Sequence, residues 1–211
     1  MDAQVFWKVI GEYNSQTIMI QICLVAVIAL GLIVSYTGKI AWMAKLVLSI
    51  ANLYIGVIFF GVYGTEAIQK YFALPLYICC GALFLYEYIK TRKETLQKPN
   101  LIQVFLLVLY ALYPCISFAL GNTYPTLVTY IMPCPLASLS IAVYSGYRKK
   151  NIVLLVLLTI WGLTGIKSIL FHAYEDIILL VCGIYGLYLI YTERNKKMLH
   201  KSNLDLSGRL E

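Results

Sequence analysis

Charged residues are scarce in this chain, making up 13% of its 211 residues against about 25% in a typical soluble domain. Apolar residues make up 61%, and the mean hydropathy is +0.78. One globular core could not shield that much apolar surface from water. The composition therefore excludes a soluble enzyme, a disordered chain and a nucleic-acid-binding domain, and it predicts an all-α integral membrane protein.

Metal-ligand and disulfide patterns are also missing from the sequence. The chain has two histidines, too far apart to form a pair, and six cysteines that all fall inside apolar runs. Disulfide frameworks and zinc sites use short fixed spacings in loops, so these cysteines are read as small buried hydrophobic residues. No metal site is predicted, and the sequence identifies no cofactor.

Seven apolar runs are long enough to approach the about 20 residues that a membrane-spanning helix needs. They are Thr17–Tyr36, Ile40–Tyr63, Tyr71–Ile89, Leu101–Leu120, Pro125–Tyr144, Ile152–Phe171 and Ile177–Tyr191. We expect residues 1–15 to form an interfacial helix ahead of a seven-helix domain over residues 16–193. Residues 194–211 are predicted to be a disordered basic tail.

The net charge of +7 comes from clusters between the apolar runs. Lys39 follows the first run, and basic clusters at 90–98, 148–150 and 194–201 follow the third, fifth and seventh runs. The alternate loops are neutral or acidic. Because basic loops stay in the cytoplasm, we expect an external N-terminus and a cytoplasmic C-terminus in the cell membrane. The predicted partner of the chain is the lipid bilayer, and the basic clusters are not read as a nucleic-acid-binding patch.

The third and seventh runs share a weak internal sequence similarity: Cys80-Gly-Ala-Leu-Phe-Leu-Tyr86 resembles Cys182-Gly-Ile-Tyr-Gly-Leu-Tyr188. The first three and the last three runs also share one predicted orientation. A parallel repeat of three helices, one helix and three helices is therefore possible. Transporters with parallel repeats hold their site between the halves.

Polar residues inside apolar runs are the main functional evidence, because burying them costs free energy. Asn52 lies in the middle of the second run and is expected to bond a neighbouring helix. Lys167 lies at a depth similar to Glu175 and Asp176, so it either pairs with one of these carboxylates or extends to the membrane surface. Two further charged residues lie near the ends of their runs. Lys45 is expected to extend its amine to the membrane surface, and Glu87 is expected to form an ion pair with Lys90.

The densest motif is Pro133-Cys134-Pro135 in the fifth run. Two prolines remove two backbone donors and prevent a straight helix, leaving the carbonyls of Thr129 and Ile131 without their usual partners. Such a break either forms a binding site with the Cys134 thiol or is a packed kink.

The sequence resembles a family of bacterial membrane proteins of unknown function, DUF6064. The likeness covers nearly the whole chain, including Trp161-Gly162, and its specific parts are Pro133-Cys134-Pro135 and Glu175-Asp176. The resemblance implies a multi-pass helical protein and adds Trp161 to the candidate binding residues. It implies no activity.

Three functional classes remain open. The first is a transporter or channel for a small solute or an ion, with its site near the break in the fifth run. The second is an intramembrane enzyme or thiol-redox protein that uses Cys134 with Asp176 or Glu175 as a base. The third is a seven-helix sensor or a partner subunit. The sequence identifies neither the ligand nor the oligomeric state.

Overall fold

The computed structural model describes residues 3–38, 40–91, 94 and 96–207, and for residues 197 and 199–207 it describes the backbone alone. Every regular element in these ranges is helical, as the composition predicts. Lys39, Arg92 and Lys93 of the predicted basic loops lie outside the described residues, as do residues 208–211 of the predicted tail.

The described chain forms helices α1 to α8 in sequence order. They are α1 Ala3–Tyr36, α2 Met43–Tyr54, α3 Leu74–Lys90, α4 Leu101–Ala119, α5 Pro133–Ser145, α6 Ile152–Leu163, α7 Ser168–Phe171 and α8 Ile177–Ser207. Wide π-helical turns extend α2 over Ile55–Tyr63 and lead into α3 over Gln69–Ala73. Tight 3₁₀ turns join α6 to α7 over Thr164–Lys167 and precede α8 at Tyr174–Asp176.

Six stretches of the described chain are long and apolar enough to cross a membrane. They are Ala3–Tyr36, Met43–Tyr63, Gln69–Lys90, Leu101–Ala119, Ile152–Phe171 and Tyr174–Lys196. These six correspond to six of the seven predicted runs. The fifth predicted run is the exception.

The fifth run, predicted as Pro125–Tyr144, becomes helical only at Pro133. The residue before a proline is held extended, as Met132 is with φ −129° and ψ 161°, and a proline at the first helical position loses no hydrogen bond. The 13 residues of α5 rise about 20 Å, less than the about 30 Å of a bilayer core. Residues 135–144 are all buried, so α5 is a central helix enclosed by the others.

Helix α1 continues without interruption through residue 15, where the sequence predicts a boundary. Asn14, Thr17 and Gln21 recur on one face of α1 and are buried there. No proline interrupts this stretch, and the polar face has partners in the non-helical chain ahead of α5, so nothing favours a break. The interfacial position of the first residues stays a prediction.

Helix α8 extends to Ser207, through residues 194–207 that the sequence predicts to be disordered. The chain contains neither glycine nor proline between Leu187 and Ser207. Lys196 also contacts Glu193 one turn earlier at 2.9 Å, which favours a continuing helix. The basic segment is therefore part of the last helix over its described residues.

Two helix pairs pack closely through glycine. Gly81 of α3 faces Leu53 of α2, where an added Cβ would lie 2.6 Å from the leucine Cγ. Gly162 of α6 faces Gly183 of α8, where an added Cβ would lie 2.6 Å from the Gly183 Cα. Small residues let helix backbones approach closely in membrane proteins. Gly81 lies against a leucine side chain of α2, whereas Gly183 lies against the backbone of α6.

Candidate functional site

A cavity of about 230 Å³ lies at the end of the bundle where α1, α3 and α5 begin and α6 and α7 finish. One wall comes from α1 and from the π-helical turns flanking the loop between α2 and α3. The other comes from the start of α5, from α6 and α7, and from the turn before α8. The volume is somewhat below the about 300–1,000 Å³ of pockets for drug-sized ligands, so the cavity suits a small molecule.

Aromatic rings form much of one part of the cavity wall, together with aliphatic and a few polar side chains. The rings that line it are Phe6, Phe59, Phe60, Phe72, Trp161 and Phe171. The wide turns after α2 bury the neighbouring Phe59 and Phe60 together, and the Phe60 ring lies 5.5 Å from that of Trp161. The Trp161 indole Nε1 is buried and has no hydrogen-bond partner in the described chain. The wall therefore offers ring faces and one unused N–H donor.

Asp176 supplies a buried carboxyl group to this cavity, with 8% of the residue exposed. The hydroxyl of Tyr113 donates to its Oδ1 at 3.2 Å, and the thiol of Cys134 lies beside it. Both of these neighbours are neutral, and no ion pair involves Asp176 within the described residues. The carboxyl group therefore retains acceptor capacity toward the cavity.

Glu175 lies behind Asp176 and does not line the cavity. Its Oε1 accepts hydrogen bonds from Ser117 Oγ at 2.9 Å and Asn122 Nδ2 at 3.3 Å. Its Oε2 has no partner in the part of the chain that the structure describes. Of the two neighbouring carboxyl groups, only that of Asp176 is placed to meet a ligand.

The predicted ion pair between Lys167 and these carboxylates is wrong. Lys167 lines the cavity, but it is an exposed residue at its rim and forms no ion pair within the described chain. Lys167 ends the 3₁₀ turn over Thr164–Lys167, and the donors that the two carboxyl groups do have, among them Tyr113 and Ser117, are neutral.

The proline motif lies at the cavity, as Pro133, Cys134 and Pro135 all line it. The carbonyl of Ile131, which the sequence predicts to lose its helical partner, accepts from the Tyr13 hydroxyl at 2.7 Å. The Asn14 side-chain amide donates to two further carbonyls of the same non-helical chain at 2.6 and 2.8 Å. The chain ahead of α5 therefore faces protein at these positions, and Cys134 is only partly buried.

Asn52 lies away from the cavity, in the centre of the bundle. Its Nδ2 donates to the carbonyl of Leu48 at 2.8 Å and to the hydroxyl of Ser140 on α5 at 3.2 Å. This is the interhelical bond expected from the sequence. The structure thus brings together six of the eight candidate residues, and Asn52 and Glu175 stand apart.

Sequence reasoning missed a buried charge network at the opposite end of the bundle. Lys45 is fully buried, and its Nζ lies 3.1 Å from Glu87 Oε2 and 2.7 Å from Glu94 Oε2. The same amine lies 2.6 Å from Thr91 Oγ1 and 4.2 Å from the ring centre of Tyr147. The sequence did hold one indication of this contact. The second and third runs are expected to be antiparallel, which places Lys45 and Glu87 at a similar depth in the membrane near the same end of the bundle.

The chain belongs to DUF6064, a family of unknown function, whose model matches residues 3–201. The match covers all eight candidate residues and both partners of the ion pair between α2 and α3. No curated protein and no solved structure matches the chain.

Proposed function

We propose that this protein is a multi-pass membrane protein that transports a small solute through the cavity beside Cys134. The observation that carries the proposal is the position of that cavity between two groups of helices. On one side stand α1 and the turns between α2 and α3; on the other stand α5 to α7 and the turn before α8. Six long apolar helices support membrane insertion, with α5 enclosed among them.

The parallel repeat that the sequence allows would place the cavity between two halves able to move relative to each other. Helices α1, α2 and α3 would form one half and α5, α6 and α8 the other, with α4 as the linker. Close glycine contacts join α2 to α3 and α6 to α8, so each half contains one tightly packed pair. A site between two rigid units can open first to one side of the membrane and then to the other.

Access to Cys134 from both sides of the membrane tests transport. We expect Cys134 to react with 2-(trimethylammonium)ethyl methanethiosulfonate, a reagent that does not cross membranes, when it is supplied on either face of proteoliposomes. The exposed Cys23, Cys79 and Cys115 are replaced by alanine beforehand. Cys134→Ala in this background is the control and should abolish labelling. Modification from the cavity side alone would show a static pocket and overturn the carrier.

Membrane orientation is a separate prediction. Basic loops alternate with neutral or acidic ones, so we expect position 149, between α5 and α6, to face the cytoplasm. In a variant without native cysteines, Lys149→Cys should resist an impermeant maleimide in intact cells and react after permeabilisation. Asn122→Cys, in the loop between α4 and α5, is the matched control and should react in intact cells. Labelling of position 149 from outside would reverse the topology.

An intramembrane thiol enzyme is the second candidate, because the Cys134 thiol lies beside the Asp176 carboxyl group at the cavity. That contact places a nucleophile beside a base. A thiol enzyme requires the Cys134 thiol for its reaction, whereas a carrier does not require it for binding. A carrier should retain solute binding in Cys134→Ala, whereas a thiol enzyme should lose its turnover.

A further inference from the structure

We propose that the cavity binds a small organic ammonium compound with an apolar body, held by the Asp176 carboxylate and the surrounding ring faces. This inference rests on the proposed solute site and specifies its ligand. The argument depends on three properties of the cavity: its charge, the chemistry of its wall and its volume.

Charge complementarity comes first. Asp176 is the buried acidic group of the wall, and the two groups beside it, the Tyr113 hydroxyl that donates to it and the Cys134 thiol, are both neutral. A carboxylate has about four acceptor positions, so positions remain for an ammonium group. Such a group would supply the positive charge that a carboxylate away from water requires. Lys167 does not supply it, because that lysine lies exposed at the rim.

The aromatic wall adjoins this carboxyl group. The Trp161 ring lies 5.1 Å from the Tyr77 ring, and the Tyr77 hydroxyl donates to the carbonyl of Pro133 at 2.5 Å. Cys134, the next residue, lies beside Asp176 in the cavity wall. These contacts connect the best cation-binding ring type, that of tryptophan, with the carboxylate. Ring faces also receive quaternary ammonium groups, which have no N–H to donate.

Volume and wall chemistry restrict the rest of the ligand. A bare inorganic cation would leave most of the about 230 Å³ empty and would lack the ring of oxygen ligands that such ions prefer. Apolar side chains, including Ile10, Val128 and Met132, form much of the remaining wall, beside a few polar ones such as Thr164 and Ser168. The ligand is therefore an organic cation whose body is apolar.

Protection of Cys134 from neutral N-ethylmaleimide measures binding in the full-length protein in nanodiscs. The exposed cysteines are replaced as before. The probe is benzyltrimethylammonium, compared at equal free aqueous concentration with neopentylbenzene, its uncharged isostere, and with phenylacetate. We expect the cation to protect Cys134 at concentrations at least about tenfold lower than either comparison compound.

Three variants test the residues. Asp176→Asn should weaken protection by the cation at least about tenfold, and Glu175→Gln, its buried neighbour outside the cavity, should leave it within about twofold. Lys167→Met should leave protection unchanged or strengthen it. Gel filtration shows which variants are folded, and the comparison of three probes on the unsubstituted site does not depend on them.

The outcomes separate this inference from the proposed transport. Equal protection by neopentylbenzene, stronger protection by phenylacetate, or weaker binding in Lys167→Met would overturn the cation ligand while leaving the cavity a solute site. Absence of protection by every probe would also overturn it. The proposal of transport is tested by a different result: labelling of Cys134 from one side of the membrane alone would overturn it.

Discussion

Replacing Lys45 with methionine should lower the free energy of unfolding by about 3–5 kcal/mol, the usual effect of removing one partner from a buried ion pair. Lys45 has no exposed side-chain surface, and the side chains of Glu87 and Glu94 are only 10% and 11% exposed. Without the ammonium group, two carboxylates remain close together and lose the cation that joins them. Their repulsion and lost solvation account for the expected size of the effect.

Chemical or thermal unfolding in detergent measures this effect. The matched control is Lys8→Met, which removes an exposed pair with Glu12 and should cost no more than about 1 kcal/mol. The triple variant K45M/E87Q/E94Q removes the carboxylates as well and should recover most of the loss. A cost for Lys45→Met as small as that for Lys8→Met would contradict a buried network.

The network also shows where sequence reasoning ends. Hydropathy and charge place Lys45 and Glu87 near one end of neighbouring runs, which is a statement about depth along the helix axis. Whether the two side chains meet depends on how each helix is rotated, and apolar runs with weak periodicity do not determine that rotation. Lys167 is the opposite case. Its position along the helix axis matches that of Asp176, but it lies at the rim of the cavity and the two side chains do not pair.

The proline motif shows a second limit. The sequence predicts that Pro133-Cys134-Pro135 prevents a straight helix, and the structure starts α5 there. It does not predict the path of the preceding residues, because that path is held by side chains of α1 more than 100 positions earlier in the chain. Tyr13 and Asn14 supply these bonds. Local patterns predict the break and most helices, whereas the cavity depends on contacts distant in sequence.

Placing alanine at Gly183 should destabilise the protein by about 2–3 kcal/mol, the upper range for overpacking. A Cβ there would lie 2.5 Å from the backbone carbonyl carbon of Gly162 and 2.7 Å from the backbone nitrogen of Leu163. No side-chain rotation relieves these contacts, because both atoms belong to the α6 backbone. The only response is separation of α6 from α8. Unfolding in detergent measures the loss.

Matched glycine variants make this test specific. Gly61→Ala should be neutral or stabilising, because its Cβ would meet Leu74 Cδ1 at an ordinary 3.5 Å and alanine favours helix over glycine. Gly162→Ala should resemble Gly183→Ala, and the double variant should cost less than the sum, since the first substitution already separates the helices. Additive losses, or a loss for Gly61→Ala equal to that for Gly183→Ala, would contradict direct backbone contact.

The same substitution should also affect the cavity. Helix α6 carries Trp161 and the turn before α8 carries Asp176, so separating these helices moves the aromatic wall away from the carboxyl group. Gly183→Ala should therefore weaken protection of Cys134 by benzyltrimethylammonium under conditions where the variant is still folded. Gly61→Ala should preserve it. Unchanged protection in folded Gly183→Ala would show that the close α6–α8 contact stabilises the bundle without holding the site together.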